Sequence, residues 1–317
     1  MSRLENIREF LKKGRIHKFS LNNPHINAKK RNHLQRMFNA GRMKEKFLFL
    51  PIDHGIEHGP GDFLDSPWAS NPEYQLELAK EGKYSAIAMH IGLAEKYWQK
   101  KQYRRTVPLI LKINGKTNIP SDEEAISPLT GTVEDALKLG ADAVGYTLYV
   151  GSPKQYEDVL QFLGVRLKAE TAGLPIIMWA YPRGKFANEK GGKDTIAFVA
   201  YATRLAHELG ADICKINIPK PVEAGKYNEE GQFKKYNELL ELSVEEQLTW
   251  AIINAGSTGV LISGGSKLGD KDMLDKVDLA VKAGVDGVIF GRNMWQRPFK
   301  EALEITKKVK DVLVGNR

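Results

Sequence analysis

A single cysteine, Cys214, leaves the chain unable to form an internal disulfide, as suits a reducing compartment. No apolar run approaches the roughly 18 residues of a membrane-spanning helix. The first residues, MSRLENIREF, lack both the apolar core and the cleavage site of a secretory signal. These absences argue against a disulfide scaffold and a helical membrane protein, and set the expectation of a cytoplasmic protein with no membrane contact. Acidic residues are scarce at one end only: residues 1–46 hold 13 Lys or Arg against 3 acids. From residue 47 onward there are 34 basic and 36 acidic residues, so the formal charge of +8 belongs to a basic N-terminal extension and not to the body. That extension has no nucleic-acid recognition motif, and a solvated or subunit-contacting arm is expected in place of an RNA-binding one.

The 317 residues, 42% apolar and 27% charged, suffice for one large α/β barrel or two ordinary domains. Strand-like runs start near Phe47, Tyr84, Pro108, Ala141, Leu174, Ala211, Thr258 and Val285, separated by amphipathic helical stretches. Eight such units predict a (β/α)8 TIM barrel over 47–317, following the extension at 1–46. Leu139-Gly140-Ala141-Asp142, Leu209-Gly210-Ala211-Asp212 and Ala283-Gly284-Val285-Asp286 repeat one turn, whose glycine suits the left-handed residue that closes a helix. Helices are expected at 194–209 and 243–255, N-capped by Asp194 and Ser243, with Phe198, Tyr201 and Trp250 in the core. The polar segment 219–242 reads as an insertion over the mouth formed by the carboxyl ends of the strands.

Chemistry is expected at that mouth. The first strand ends in Asp53-His54-Gly55-Ile56-Glu57-His58, where Asp53 suits proton transfer or hydroxyl binding, and His54, His58 and Glu57, with His90 nearby, form an alternative metal set. Strand three carries Lys112, with Lys116 on the loop beyond it. Strand five places Trp179 and Tyr181 on one face by its period of two, followed by Arg183 in a basic loop fit for an anion. Strand six places Ile213, Lys215 and Asn217 on one face and Cys214 on the other. An inward, desolvated Lys215 is either a Schiff-base nucleophile or an ion-pair partner, and Cys214 is then ordinary packing. The seventh and eighth strands end in Ser263-Gly264-Gly265 and Gly291-Arg292, glycine-rich turns that offer N–H groups and a guanidinium to a phosphate.

In order and spacing, DHG-x-EHGP, LKINGKT, WAYPR, the lysine in ADICKI, SGGS and GRN resemble the archaeal-type class I fructose-bisphosphate aldolases and their bacterial relatives, from Phe47 to about Lys310. The resemblance implies a homo-oligomeric barrel enzyme of glycolysis and gluconeogenesis. Its substrate is a phosphorylated sugar, fructose 1,6-bisphosphate, cleaved to two triose phosphates without metal or organic cofactor. Residue by residue, it implies Lys215 as the Schiff-base nucleophile, Tyr181 as a proton donor and acceptor, and Asp53 beside the substrate hydroxyls. It implies Trp179 as a wall, Lys112 as an auxiliary charge, Ser263, Gly264, Gly265, Gly291 and Arg292 around the phosphate next to the ketone, and Arg183 toward the distal phosphate. A related Schiff-base enzyme, such as a transaldolase or 2-amino-3,7-dideoxy-D-threo-hept-6-ulosonate synthase, would keep the same groups. A metal-dependent lyase and an RNA-binding barrel are the remaining alternatives.

Overall fold

The computed structural model describes residues 2–16, 18–222 and 233–315. The eight strands are β1 (Phe47–Pro51), β2 (Ala86–His90), β3 (Leu109–Lys112), β4 (Ala143–Val150), β5 (Ile176–Pro182), β6 (Ile213–Ile216), β7 (Gly259–Ser263) and β8 (Gly287–Ile289). They are parallel and follow chain order around a closed barrel, with Phe47 of β1 in register with Gly287 of β8. The protein is therefore the expected (β/α)8 barrel. Helices α1 (Arg3–Lys12) and α2 (Ala28–Gly41) precede it. Around it lie α3 (Pro72–Glu81), α4 (Val133–Leu139), α5 (Gln155–Ala172), α6 (Ile196–Glu208), α7 (Val244–Ile253), α8 (Asp270–Ala283) and α9 (Phe299–Leu313), with short helical turns between them.

The alternation of each strand separates two cores, as the period of two requires. Phe49, Ile110, Ile177, Trp179, Ile213, Leu261 and Ile289 point into the barrel, while Leu50, Leu111, Met178, Cys214, Ile262 and Val288 meet the helices. The inner core also contains Phe19, Ile26, Leu34, Met37 and Phe38 from the extension. Phe38 stacks on Phe47 with ring centroids 4.2 Å apart, so the extension plugs the amino-terminal end of the barrel. Burying each such side chain contributes about 1.5–3 kcal/mol. The expectation of a solvated or subunit-contacting arm is corrected for these residues.

The repeated turn does more than close helices. Gly140, Gly210 and Gly284 adopt positive φ as expected. The aspartate two residues later accepts an N–H from the start of a neighbouring strand and also binds the plug. Asp142 takes the Leu109 N–H at 3.1 Å and Arg36 Nη1 at 2.7 Å. Asp212 takes the Ile176 N–H at 2.8 Å and Lys30 Nζ at 2.9 Å. Asp286 takes the Val260 N–H at 2.7 Å and Arg15 Nη1 at 2.7 Å. Part of the positive charge of the extension thus answers carboxylates at the bottom of the barrel.

Three local expectations are corrected. Helix α6 is preceded by Thr195, not capped by Asp194, whose carboxylate is drawn instead to Asn217 and Lys220. Tyr201 is 49% exposed because it lies on the outer face of α6, whereas Phe198 is buried and Trp250 packs against the core. Within the 219–242 segment, residues 223–232 lie outside those described, and Phe233–Glu241 forms a 3-10 helix beside α6, with Arg3 of α1 paired to Glu238 at 2.6 Å. That part covers a flank, not the mouth. Ser243 caps α7 through a capping box, as expected.

Candidate active site

At the carboxyl ends of the strands a cavity of about 250 Å³ is lined by Asp53, His54, Glu57, Tyr181, Arg183, Lys215, Asn217, Ser263, Gly264, Gly265, Gly291 and Arg292. A hollow of about 1120 Å³ lies elsewhere, between α1 and the start of β8. It is larger, but it is lined by surface charges at the plugged end and has no buried nucleophile. The smaller cavity is where buried ionisable groups converge.

Lys215 projects inward from β6 and is buried. Its Nζ lies 5.3 Å from the Trp179 ring centroid and 5.1 Å from that of Tyr181, and makes no hydrogen bond or ion pair with any described residue. Burial lowers its pKa, and Arg292 and Arg183 add to the effect against the opposing pull of Asp53 and Glu57. Lys112 is held very differently: its Nζ donates to the Asn114 carbonyl at 2.7 Å and to Thr147 Oγ1 at 2.7 Å. Burial also lowers Lys112, to about 8. Both amines face Trp179, Lys112 Nζ at 5.2 Å from the ring centroid. Gly145 makes this packing possible, since a Cβ there would lie 2.9 Å from Trp179 Cζ3 and 3.1 Å from Lys112 Cδ.

Burial would raise the Asp53 carboxyl, but His54, Lys215, Lys112 and His90 outweigh it and hold the group below the usual carboxylate range. Burial raises the Tyr181 phenol well above its ordinary value, and the charges of Glu57 and Asp53 push the same way. Tyr181 is therefore a protonated donor at neutral pH, and Asp53 an anion able to accept. Burial lowers His54 to about 4, so its imidazole is neutral. His54 and His58 stack with centroids 5.6 Å apart, and His90 Nδ1 lies apart from them, 3.2 Å from Thr130 Oγ1. Among the described residues no three His, Cys, Asp or Glu side chains gather as a metal would require.

The glycine turns after β7 and β8 meet at one side. The N–H groups of Gly265, Gly291 and Arg292 have no acceptor among the described residues, and buried Arg292 Nε is likewise unpaired. The guanidinium is steered by Asp62 at 3.6 Å and the Gly265 carbonyl at 3.3 Å. A Cβ at Gly291 would lie 2.5 Å from His54 Cε1, so glycine is what allows this turn to close over β1. Convergent N–H groups with a nearby guanidinium suit a phosphate.

The structure thus brings Asp53, Tyr181, Lys215, Arg183, Ser263, Gly264, Gly265, Gly291 and Arg292 to one cavity, with Trp179 and Lys112 just beneath it. Lys116 is drawn inward to Asp122 at 2.7 Å and is not the loop-surface residue expected. Lys193, at the end of the expected basic loop, reaches the rim; sequence reasoning missed Asp194 and Lys220 there, and the link from Ser263 Oγ through Asn217 to Asp194 at 2.8 Å. Only the even spacing from Lys215 to Asn217 signalled the last of these.

A closed parallel barrel with a desolvated lysine, unpaired among the described residues, at the carboxyl ends of its strands defines an enzyme of the aldolase type. The model for DeoC/LacD family aldolases matches residues 47–297, and the chain belongs to that family. It is 38% identical over 274 residues to the class 1 fructose-bisphosphate aldolase of Thermoproteus tenax, covering 86% of this chain and 91% of that protein. The class 1 enzyme of Halobacterium salinarum is 39% identical over 252 residues, covering 80% and 85%. Among solved structures, an archaeal fructose-1,6-bisphosphate aldolase whose catalytic lysine is covalently bound to the carbinolamine intermediate superposes with a TM-score of 0.74 at 34% identity. The match covers 90% of this chain and 100% of that one.

Proposed function

We propose that this protein is a class I fructose-bisphosphate aldolase, cleaving fructose 1,6-bisphosphate to dihydroxyacetone phosphate and glyceraldehyde 3-phosphate through a Schiff base on Lys215. The observation that carries the reading is the contrast between two buried lysines: Lys112 is saturated by fixed acceptors, while Lys215 has none among the described residues and sits among Tyr181, Asp53 and the phosphate turns.

The neutral Lys215 amine adds to the C2 carbonyl, and loss of water gives an iminium. Asp53 accepts the C4 hydroxyl proton, directly or through water, as the C3–C4 bond breaks and its electrons enter the iminium as an enamine. Tyr181, kept as a phenol, donates to oxygen or carbon in the hydration and protonation steps. Gly265, Gly291 and Arg292 hold the phosphate beside the ketone, with Ser263 and Gly264 shaping their turn, while Arg183 serves the distal phosphate. Trp179 supplies the apolar wall, and Lys112 a nearby charge that favours deprotonation of Lys215. The catalytic unit in this reading is residues 47–317, following the extension at 1–46, whose Phe19, Ile26, Leu34, Met37 and Phe38 close the barrel from below.

No helix among the described residues is long and apolar enough to cross a membrane. We place the enzyme in the cytoplasm, in glycolysis and gluconeogenesis, as a homo-oligomer that has no need of nucleic acid. Incubation with fructose 1,6-bisphosphate after exhaustive chelation should yield both triose phosphates; failure to form either, with or without added metal, sinks the reading.

Two effects follow at the site. Because Lys215 is lowered, borohydride trapping with dihydroxyacetone phosphate should rise with pH and level off below the ordinary lysine value of about 10.4. A profile still climbing past pH 11 would contradict the assigned environment. Replacing Arg292 by Met removes a charged hydrogen-bonding partner worth about 1.5–3 kcal/mol, or roughly 10–100-fold in KM for the bisphosphate. Initial-rate measurements should show that rise with a smaller change in kcat.

A further inference from the structure

The turn after β7 contains two glycines in succession, Gly264 and Gly265, and such a pair does little by itself to fix the peptide between them. In a trans peptide the carbonyl and the N–H point in opposite directions, so whatever holds the Gly264 oxygen sets where the Gly265 N–H is aimed. That oxygen accepts a hydrogen bond from Lys276 Nζ of α8 at 3.0 Å. The same Nζ lies 3.7 Å from where a Gly265 Cβ would stand, so the ammonium rests close against the turn.

We infer that Lys276 is a positioning residue for phosphate recognition, its ammonium fixing the Gly264–Gly265 peptide so that the Gly265 N–H faces the phosphate of the substrate. The inference rests on the aldolase reading above and adds to it a residue from outside the cavity lining. The adjoining peptides are held by other groups. The Gly264 N–H donates to the Ile289 carbonyl at 3.3 Å, and the Gly265 carbonyl accepts from Arg292 Nη2 at 3.3 Å. Further along, Asn293 donates to the Ser266 carbonyl at 3.1 Å and accepts the Leu268 N–H at 2.7 Å. Among the described residues, Lys276 is what holds the peptide between the two glycines.

Lys276 differs from the other paired lysines of α8. Lys271 meets Asp275 at 2.8 Å and Lys282 meets Asp278 at 3.0 Å, each across one helical turn and with the lysine side chain largely in solvent. Asp272 stands four residues before Lys276, at the same spacing, yet Lys276 forms no ion pair with any described residue and reaches a main-chain carbonyl instead. Burial lowers its pKa to about 8 against the pull of Asp194, and Lys220 and Lys215 add to the lowering, so the amine is still mostly charged at neutral pH. A cation drawn out of water without a carboxylate partner is costly, and a phosphate bound on the other side of the turn offsets that cost. Lys276 and Arg292 thus brace consecutive peptides of one phosphate turn, and both bring positive charge to it.

The test compares borohydride trapping of dihydroxyacetone phosphate with that of dihydroxyacetone, which has the same ketone and no phosphate. Half-saturating concentrations are measured for the full chain and for Lys276→Met, Lys276→Ala and Lys276→Arg. Methionine and alanine both favour helices, so α8 is preserved, and circular dichroism with a urea midpoint verifies it. In the wild-type protein the phosphate ester should half-saturate at the lower concentration. The ratio of the two concentrations, dihydroxyacetone over its phosphate, should fall about tenfold or more in the Met and Ala variants, the loss expected for a charged hydrogen bond. Lys276→Arg, which keeps a charged donor, should recover most of the ratio. A ratio unchanged by Met and Ala overturns the inference, as does an equal loss for both ketones, which would show that Lys276 acts on Lys215 or on the fold. An Arg variant as poor as Met overturns the charged hydrogen bond as the cause. Failure of the wild-type protein to trap either ketone overturns the aldolase reading itself, and this inference with it.

Discussion

Replacement of Lys215 by Met is expected to lower kcat for fructose 1,6-bisphosphate by at least ~10⁴-fold and to abolish trapping of dihydroxyacetone phosphate on this peptide by borohydride. Methionine keeps the length and buried volume of the lysine stem, so loss of the amine is separated from loss of packing. The size of the effect follows from the chemistry: without an iminium there is no sink for the electrons of the C3–C4 bond, and among the described residues the other buried amine facing Trp179, that of Lys112, is not free to supply one. Lys112 has the wrong surroundings, because its ammonium is fixed by the Asn114 carbonyl, Asn114 Oδ1 and Thr147 Oγ1. Lys112→Met should therefore leave borohydride trapping intact while altering its pH profile. Intact mass and peptide mapping decide the matter, and an adduct on Lys112 in the wild-type protein would reverse the roles assigned to the two lysines.

Replacement of Lys30 by Met is expected to destabilise the fold by about 3–5 kcal/mol, the range for stripping one partner from a buried ion pair. Lys30 and Asp212 are both almost fully buried, with Nζ 2.9 and 3.0 Å from the carboxylate oxygens. Burial raises the Asp212 carboxyl even with Lys30 beside it, so desolvation outweighs the attraction in the intact pair. Without Lys30 the carboxyl is raised further. An acid whose folded pKa exceeds its unfolded value binds a proton more tightly when folded, so stability falls as pH rises from the unfolded pKa, about 3.9, through the folded one. The deficit should thus be smallest in acid and grow toward neutral pH. Arg36→Met, at the partly exposed partner of Asp142, should cost only about 1 kcal/mol. Urea denaturation at several pH values distinguishes these cases, and equal costs at the two sites would show that burial of the plug is not what sets them.

The eight strands and the inward lysine were legible because both rest on local periodicity. Alternation about Ile213, Lys215 and Asn217 fixes which side chains share a face whatever the rest of the chain does. The glycines of the repeated turn were legible for a similar reason, since positive φ is a property of one residue. The aspartates beside them were not. Asp142, Asp212 and Asp286 take their meaning from Arg36, Lys30 and Arg15, more than a hundred residues away in sequence. Tyr201 failed in a related way: its helical spacing placed it on α6, but not on which side of the apolar stripe the barrel would lie.

By itself, then, the sequence determined the (β/α)8 architecture, the face on which Lys215, Tyr181 and Trp179 stand, and the turns fit for a phosphate. Each is set by the spacing of residues close together in the chain. Only the tertiary structure decided that the basic extension is a plug, that Asp194 serves the mouth and not a helix end, and which of two buried lysines is left without a partner among the described residues. Lys112 is held by Asn114, just beyond β3, and by Thr147 of β4, while Lys215 finds no partner among the described residues of any strand around it, so its freedom to react is a property of the closed barrel.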